Sequence, residues 1–179
     1  MTGYSEQGHA EEVLKLFEKM SAKSLSLDMT TFVCCLKACG NIGALIKGLE
    51  IHGEVERQML IEKDIIVGNS VVDMYAKCGA LDKAQDVFSK LPVRDIVSWT
   101  TLMAGHAYCG ESRTVFYIFE EMQGTGIEPN PVTFVVILNA CSRDCLISKS
   151  LTYFEAMSKD YGIIPMVEHH TCMVDLHSR

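Results

Sequence analysis

Cysteine and histidine are the side chains in this sequence that could bind a metal ion or, for cysteine, form disulfides. The chain has eight Cys and six His. Two groups could suggest zinc ligands: Cys34, Cys35 and Cys39, and further along Cys141, Cys145, His169, His170 and Cys172. No two cysteines have the tight CxxC spacing that is typical of zinc sites. The cysteines also lack paired framework spacing, which favours a reducing compartment over a disulfide scaffold.

Composition and charge restrict the function further. The net charge of −7 has the wrong sign for a non-specific binder of nucleic acids or anionic membranes, so a polyanion would need a local basic track. No phosphate-cradling glycine loop or nucleophile motif is present. No apolar run approaches membrane-spanning length, and the acidic N-terminus resembles neither a secretory signal nor an Arg-rich transit peptide. We therefore expect a non-enzymatic protein without cofactor, metal, membrane or small-molecule substrate.

The sequence repeats itself. Gly8, Gly43, Gly79 and Gly110 are separated by 35, 36 and 31 residues, and a further 35 residues lead to Cys145, where the glycine is lost. We call such a set of residues at equivalent repeat positions a column. Two more columns have the same spacings as the glycines: Phe17, His52, Phe88, Phe119 and Phe154, and Met20, Val55, Leu91, Met122 and Met157. The columns predict repeats at 29–64, 65–95, 96–130 and 131–166, a partial repeat at 1–28 and the start of another at 167–179. Both ends fall within a repeat, so we expect a segment of a longer array.

Each repeat has two apolar stretches of helical period, separated by the column glycine. In the second stretch apolar or small residues stand at i, i+3, i+4 and i+7, as in Ala84, Val87, Phe88 and Leu91. Glycine commonly ends helices because it lacks the Cβ that opposes left-handed backbone. A pair of helices this short must stack on its neighbours to bury its apolar faces. The predicted fold is an all-α, right-handed α-solenoid of helix-turn-helix repeats.

The repeat places also bear on the cysteines and histidines. Cys39 and Cys141 share the eleventh place of their repeats, and Cys78 and Cys109 share the fourteenth. Residues that recur in register indicate packing, and a buried Cys behaves as a small apolar residue. His52 stands in the phenylalanine column, which favours a packed aromatic role. We therefore expect no metal site.

These repeats resemble those of the pentatricopeptide repeat (PPR) family of plants. Segment 65–95, IIVGNSVVDMYAKCGALDKAQDVFSKLPVRD, is similar to its short repeat, and 96–130 to its ordinary repeat. Segments 29–64 and 131–166 resemble the long variant, and the order long, short, ordinary, long is similar to the PLS subclass. Val13, Val115, Cys145 and Ser150 depart from the family pattern, which expects smaller residues at these places.

The resemblance implies single-stranded RNA binding, with one base read by the fifth and last residues of a repeat. Asn69 with Asp95 would read uracil, and Thr100 with Asn130 would read adenine. In the family the second residue sandwiches the base, which assigns that role to Ile66 and Val97. In the long repeats, Val33 and Val135 occupy the fifth place and have no polar group to read an edge.

Phosphate contact needs cations along the same groove. Lys77, Arg143 and Arg179 all stand at the thirteenth place, where the family often has a basic residue. Three cations are few beside the net charge, so we expect modest affinity and a steep salt dependence.

The family implies a mitochondrial or chloroplast location and a role in RNA processing, or in C-to-U editing by a deaminase or editing cofactor acting in trans. The HxE and CxxC motifs of such a zinc deaminase are absent from this chain. Two alternatives stay open: a helical scaffold for protein partners, favoured by the acidic charge, and a degenerate truncated product without activity. Asn69 also has an alternative role, as a residue capping the start of a helix.

Overall fold

The computed structural model describes residues 2–22 and 27–177, with side chains from residue 9 to residue 176 apart from 23–26. Those residues form helices joined by short turns and contain no strand, so the all-α prediction is confirmed. The helices are Thr2–Ala22 (α1), Met29–Ile42 (α2), Leu45–Arg57 (α3), Leu60–Lys63 (α4), Ile65–Lys77 (α5), Leu81–Lys90 (α6), Ile96–Cys109 (α7), Ser112–Gly124 (α8), Pro131–Arg143 (α9), Ile147–Lys159 (α10) and Val167–His177 (α11).

The chain divides into two compact parts, residues 1–94 and 95–179. In the first part α2 packs against α1, α3 and α5, and α5 packs against α6. Phe32, Leu36, Ile51, Met74 and Tyr75 are almost entirely buried there. Their burial supplies the apolar contact that short helices lack in isolation.

The second part is built in the same way. Helix α9 packs against α7, α8, α10 and α11, so it lies at the centre of this part. Phe134 of α9 is fully buried, with its ring centroid 6.1 Å from that of Phe119 and 5.5 Å from that of Tyr161. Such edge-to-face and tilted pairs are favourable beyond the area they bury.

A polar residue directly precedes each of the helices α2, α5, α7 and α9. Asp28, Asp64, Asp95 and Asn130 adopt extended backbone, and each accepts a hydrogen bond from a backbone N–H in the following turn. These N-caps satisfy donors that a helix start leaves without partners. Each predicted repeat start from residue 29 to residue 131 is accordingly the first residue of a helix.

The turns within the hairpins have left-handed backbone. Gly43, Gly79 and Gly110 have φ values of +68°, +74° and +86°, and Cys145 adopts the same conformation with φ +54°. The lost glycine has therefore not changed the turn, although a side chain there strains the backbone. Among the described helices, none is both long and apolar enough to cross a membrane.

Candidate nucleic-acid interface

At four repeat boundaries the residue at the last place of one repeat is the N-cap of the next repeat's first helix. Asp95 Oδ1 accepts from the backbone N–H of Ser98 at 2.8 Å and from its hydroxyl at 3.0 Å. In return, the backbone N–H of Asp95 donates to Ser98 Oγ at 3.2 Å. This reciprocal pattern is a capping box, and it holds the Asp95 side chain at the tip of α7.

Asn130 is held in the same way at the start of α9. Its Oδ1 accepts from the backbone N–H of Thr133 at 2.9 Å and from the Thr133 hydroxyl at 3.0 Å. The backbone N–H of Asn130 donates to Thr133 Oγ1 at 3.2 Å. Thr133 itself is fully buried, whereas Asn130 is half-buried.

Thr100 joins that network from the neighbouring helix. It lies in α7 with 8% of its surface exposed, and its Oγ1 is 3.2 Å from Thr133 Oγ1. The structure thus brings Thr100 and Asn130 together through Thr133. The sequence contained one signal for this arrangement, because Asn130 and Thr133 have the spacing of a capping box.

Asn69 lies inside α5, where 8% of its surface is exposed. Its alternative role as a helix cap is wrong, since Asp64 caps α5 by accepting from the backbone N–H of Ile66 at 2.7 Å. Asn69 belongs to the first compact part and its predicted partner Asp95 to the second.

The predicted base-sandwiching residues are exposed apolar side chains. Ile66 is 61% exposed and Val97 is 52% exposed, each at the second position of its helix. Val132 of α9 stands at the same place and is also exposed. Exposing these apolar side chains to water is unfavourable, so covering them with the flat face of a base would stabilise the complex.

The predicted phosphate contacts are less available. The Lys77 ammonium pairs with Asp73 at 2.8 Å. Arg143 Nη1 donates to the carbonyl oxygens of Ala107 and Tyr108 at 2.5 and 3.1 Å, so this guanidinium caps the end of α7. Arg179 lies outside the described residues. A phosphate at either described cation would have to share it with a partner already in place.

Tyr108 was not among the candidate residues predicted from the sequence. The structure places it 72% exposed at the edge of a cavity of about 320 Å³, which Asn139, Arg143 and Asp175 also line. An exposed aromatic ring beside a guanidinium is suited to stack on a base. The signal available in the sequence was the tyrosine's place, which matches that of Lys77 and Arg143 in their repeats.

Cys39 and Cys141 are buried, as their shared repeat place predicts, whereas the packing prediction is wrong for Cys109, which is exposed although it shares the fourteenth place with the half-buried Cys78. Burial raises the pKa of Cys39 to about 12 and that of Cys141 to about 11, which keeps both thiols protonated and unreactive. His52 packs edge-on against Tyr75 and its Nδ1 lies 2.8 Å from the tyrosine hydroxyl. Within the described part of the chain, no three His, Cys, Asp or Glu residues are grouped so as to hold a metal ion.

His169 contributes to the start of α11. Its Nδ1 accepts from the backbone N–H of Met166 at 3.0 Å, and its Nε2 lies 2.9 Å from the Pro131 carbonyl oxygen. The backbone donor at Nδ1 fixes the tautomer, so Nε2 carries the hydrogen and donates to Pro131. This imidazole links the starts of α9 and α11.

Models of the PPR repeat match the chain over residues 1–25, 69–96 and 132–161, and a model of the PPR repeat family matches residues 94–143. The chain belongs to the pentatricopeptide repeat family.

Relatives in Arabidopsis thaliana match along almost the whole chain. Pentatricopeptide repeat-containing protein CRR2, chloroplastic, is 40% identical over 98% of this chain and 27% of its own length. A mitochondrial pentatricopeptide repeat-containing protein is 35% identical over 97% of this chain and 27% of its own length. The chain therefore spans about a quarter of the length of these relatives.

Solved structures show the same fold. A crystal structure of the pentatricopeptide repeat protein PPR10 in complex with an 18-nucleotide psaJ RNA element matches with a TM-score of 0.79 at 24% identity, covering 90% of this chain and 24% of that one. Nuclear protein-only RNase P 2 of Arabidopsis thaliana matches with a TM-score of 0.71 at 14% identity, covering 99% of this chain and 40% of that one. The predicted α-solenoid class is thereby confirmed.

Proposed function

We propose that this chain is an RNA-recognition segment that binds single-stranded RNA through its repeats and performs no catalysis itself. The observation that carries the proposal is the placement of Thr100 and Asn130, which share one hydrogen-bond network at the tip of α9. The exposed apolar side chain of Val97 adds a surface for the face of a base. PPR10, a structural neighbour, has been crystallised in complex with RNA.

The proposed base assignments follow the family pattern. Asn69 with Asp95 reads uracil, and Thr100 with Asn130 reads adenine, so the preferred dinucleotide is 5′-UA-3′. Ile66 and Val97 cover the faces of the bases. The long repeats have Val33 and Val135 at the reading place and serve mainly to space and shape the groove.

Electrostatics limits the affinity of this segment. The net charge is −7, and the described thirteenth-place cations, Lys77 and Arg143, already have partners. Each phosphate contact that forms releases counterions, so binding weakens as salt rises. We expect modest affinity, with the rest of a longer repeat array supplying further contacts.

In the cell, the parent protein is proposed to be of the PLS subclass and to act in mitochondria or chloroplasts. Its array would place an RNA-processing activity, foremost C-to-U editing by a deaminase acting in trans, beside its target. Relatives named as chloroplastic and mitochondrial support an organellar location.

The direct test measures binding of the 179-residue chain to fluorescent RNA oligonucleotides at low and high salt. Oligonucleotides with UA at the two aligned positions should bind at least about tenfold more tightly than the same sequences with CC, as expected for base-edge hydrogen bonds. Equal affinity for UA and CC would remove the base assignments. Absence of RNA binding at low salt would favour the protein-scaffold alternative.

A single substitution sharpens this test. Asn130→Asp replaces the amide donor at the last place by a carboxylate acceptor while its other oxygen can still cap α9. The preference at that position should shift from adenine toward guanine, whose ring N1–H is a donor. Asp28→Asn is the matched control, because Asp28 caps α2 in the same way and its change should leave this preference intact.

A further inference from the structure

A cavity of about 320 Å³ opens between the carboxyl-terminal parts of α7, α9 and α11, within the second compact part. Tyr108, Asn139, Arg143 and Asp175 line it together with smaller side chains. Its volume lies within the roughly 300–1,000 Å³ that is usual for ligand sites. The lining carries one guanidinium and one carboxylate, so the cavity suits an uncharged group such as a nucleobase better than a bare phosphate.

Tyr108 places a large aromatic ring at this cavity and is 72% exposed. Within the part of the chain that the structure describes, no other ring stacks on it and no group bonds to its hydroxyl. Other aromatic residues of this compact part are packed, since Phe116, Phe119 and Phe134 are at most 5% exposed. The Tyr108 ring therefore contributes little to the core, and covering it with a flat apolar surface would be favourable.

Arg143 fixes the end of the helix on which Tyr108 lies. Its Nη1 donates to the carbonyl oxygens of Ala107 and Tyr108 at 2.5 and 3.1 Å. These bonds use the hydrogens of Nη1 and leave those of Nε and Nη2, for which the described residues supply no acceptor. The guanidinium thus holds the backbone of α7 at Tyr108 and keeps hydrogen-bond donors for a ligand.

This cavity is separate from the predicted reading residues. Thr100 lies eight residues before Tyr108 in α7, which corresponds to about 12 Å along the helix axis. That separation is longer than one base. We therefore expect the Tyr108 ring to contact a different nucleotide from the one whose edge meets Thr100.

We infer that Tyr108 is a base-stacking residue and that this cavity is an additional nucleotide site on single-stranded RNA, with Arg143 supplying hydrogen-bond donors. The inference rests on the proposed function and adds to it a contact that reads no base edge. Stacking on an aromatic ring tolerates every base, because each base has a flat π face. The site should raise affinity without adding sequence preference, in contrast to Thr100 and Asn130.

The test measures binding of the 179-residue chain to an RNA oligonucleotide with UA at the aligned positions. Tyr108→Ala should weaken binding at least about fivefold, the lower end of what losing one stacked base costs. Tyr108→Phe keeps the ring and should stay within about twofold of the wild type. Tyr117→Ala is the matched control and should leave the affinity unchanged, because Tyr117 is 60% exposed on α8 and bonds to Glu121, away from the cavity. Circular dichroism should be the same for all three variants.

An abasic scan of the oligonucleotide identifies the stacked base. One abasic position outside the UA pair should weaken wild-type binding by the same factor as Tyr108→Ala, and it should have no further effect in that variant. Replacing the base at that position by any other base should change the affinity by less than about threefold.

The outcomes separate this inference from the proposed function. A wild-type chain that binds no RNA contradicts both. RNA binding with the UA preference that is equally tight in the wild type and in Tyr108→Ala overturns the inference alone. A loss in Tyr108→Ala that no abasic position abolishes also overturns it, because the ring would then act on the protein and not on a base.

Discussion

The hairpins α5–α6 and α9–α10 have the same helix-turn-helix backbone, but different side chains fill their cores. At the fourth place of the repeat, α9 has the fully buried Phe134, whereas α5 has Gly68. Two side chains from outside α5 occupy the space beside Gly68. A Cβ added at Gly68 would lie 2.5 Å from Leu91 Cδ2 and 3.6 Å from Ile61 Cγ2. A core position in this array can thus be filled by the chain that leads into or out of the hairpin.

At the turns, it is α5–α6 that has the expected residue, a glycine, and α9–α10 that departs from it. Gly79 occupies the left-handed position of α5–α6 at φ +74°, and Cys145 occupies it in α9–α10 at φ +54°. The conformation is the same although one residue tolerates it and the other is strained by it. The stacking of the helices therefore imposes the turn, and glycine only lowers the free-energy cost of its left-handed backbone.

The largest effect should come from removing the aromatic ring of α9. Phe134→Ala is expected to destabilise the second compact part by about 3–5 kcal/mol, because it leaves a cavity between Phe119 and Tyr161. Urea unfolding followed by circular dichroism measures this loss. The control is Val132→Ala on the exposed face of α9, which should change stability by less than about 0.5 kcal/mol. Equal losses in both variants would show that the ring is not central to the core.

An intermediate effect should come from adding a methyl group to α5. Gly68→Ala is expected to cost about 1–3 kcal/mol, since the new Cβ meets Leu91 and the core must shift to admit it. Gly53→Ala in α3 is the matched control, because no atom lies within 4 Å of its added Cβ. That control should gain about 0.5–1 kcal/mol from better helix propensity. If Gly68→Ala were stabilising too, Leu91 would not be filling the space of the missing aromatic side chain.

The smallest effect should come from exchanging the turn residues. Cys145→Gly is expected to stabilise the second part by about 0.5–1 kcal/mol, because relief of left-handed strain outweighs the added freedom of the unfolded chain. Gly79→Ala should destabilise the first part by about 1 kcal/mol for the same reason. Thermal unfolding midpoints of the two variants should move in opposite directions, and a lower midpoint for Cys145→Gly would mean that the thiol makes a contact worth more than the strain.

Part of the candidate site could be found from the sequence. The repeat columns placed Thr100 and Asn130 in register, and the capping pattern of Asn130 with Thr133 was there to be found. The hydrogen bond between Thr100 and Thr133 could not be found from the sequence, because these residues are 33 positions apart and no local pattern relates them. The same limit applied to Arg143, whose thirteenth place predicted a free cation although it caps α7.

The sequence by itself determined the period of the array and, from residue 29 to residue 159, the two helices of each hairpin and the turn between them. Its expectation of a helix end at Gly8 is wrong, because α1 runs unbroken from Thr2 to Ala22. The period, the helices and the turns are local properties, since apolar spacing, capping residues and left-handed glycines act within a few positions of the chain. Only the tertiary structure decided which polar side chains of neighbouring repeats share a hydrogen bond and which cations already have a partner. Those outcomes depend on helices of neighbouring repeats that meet in space, where each hydroxyl and guanidinium is shared among partners the chain order does not reveal.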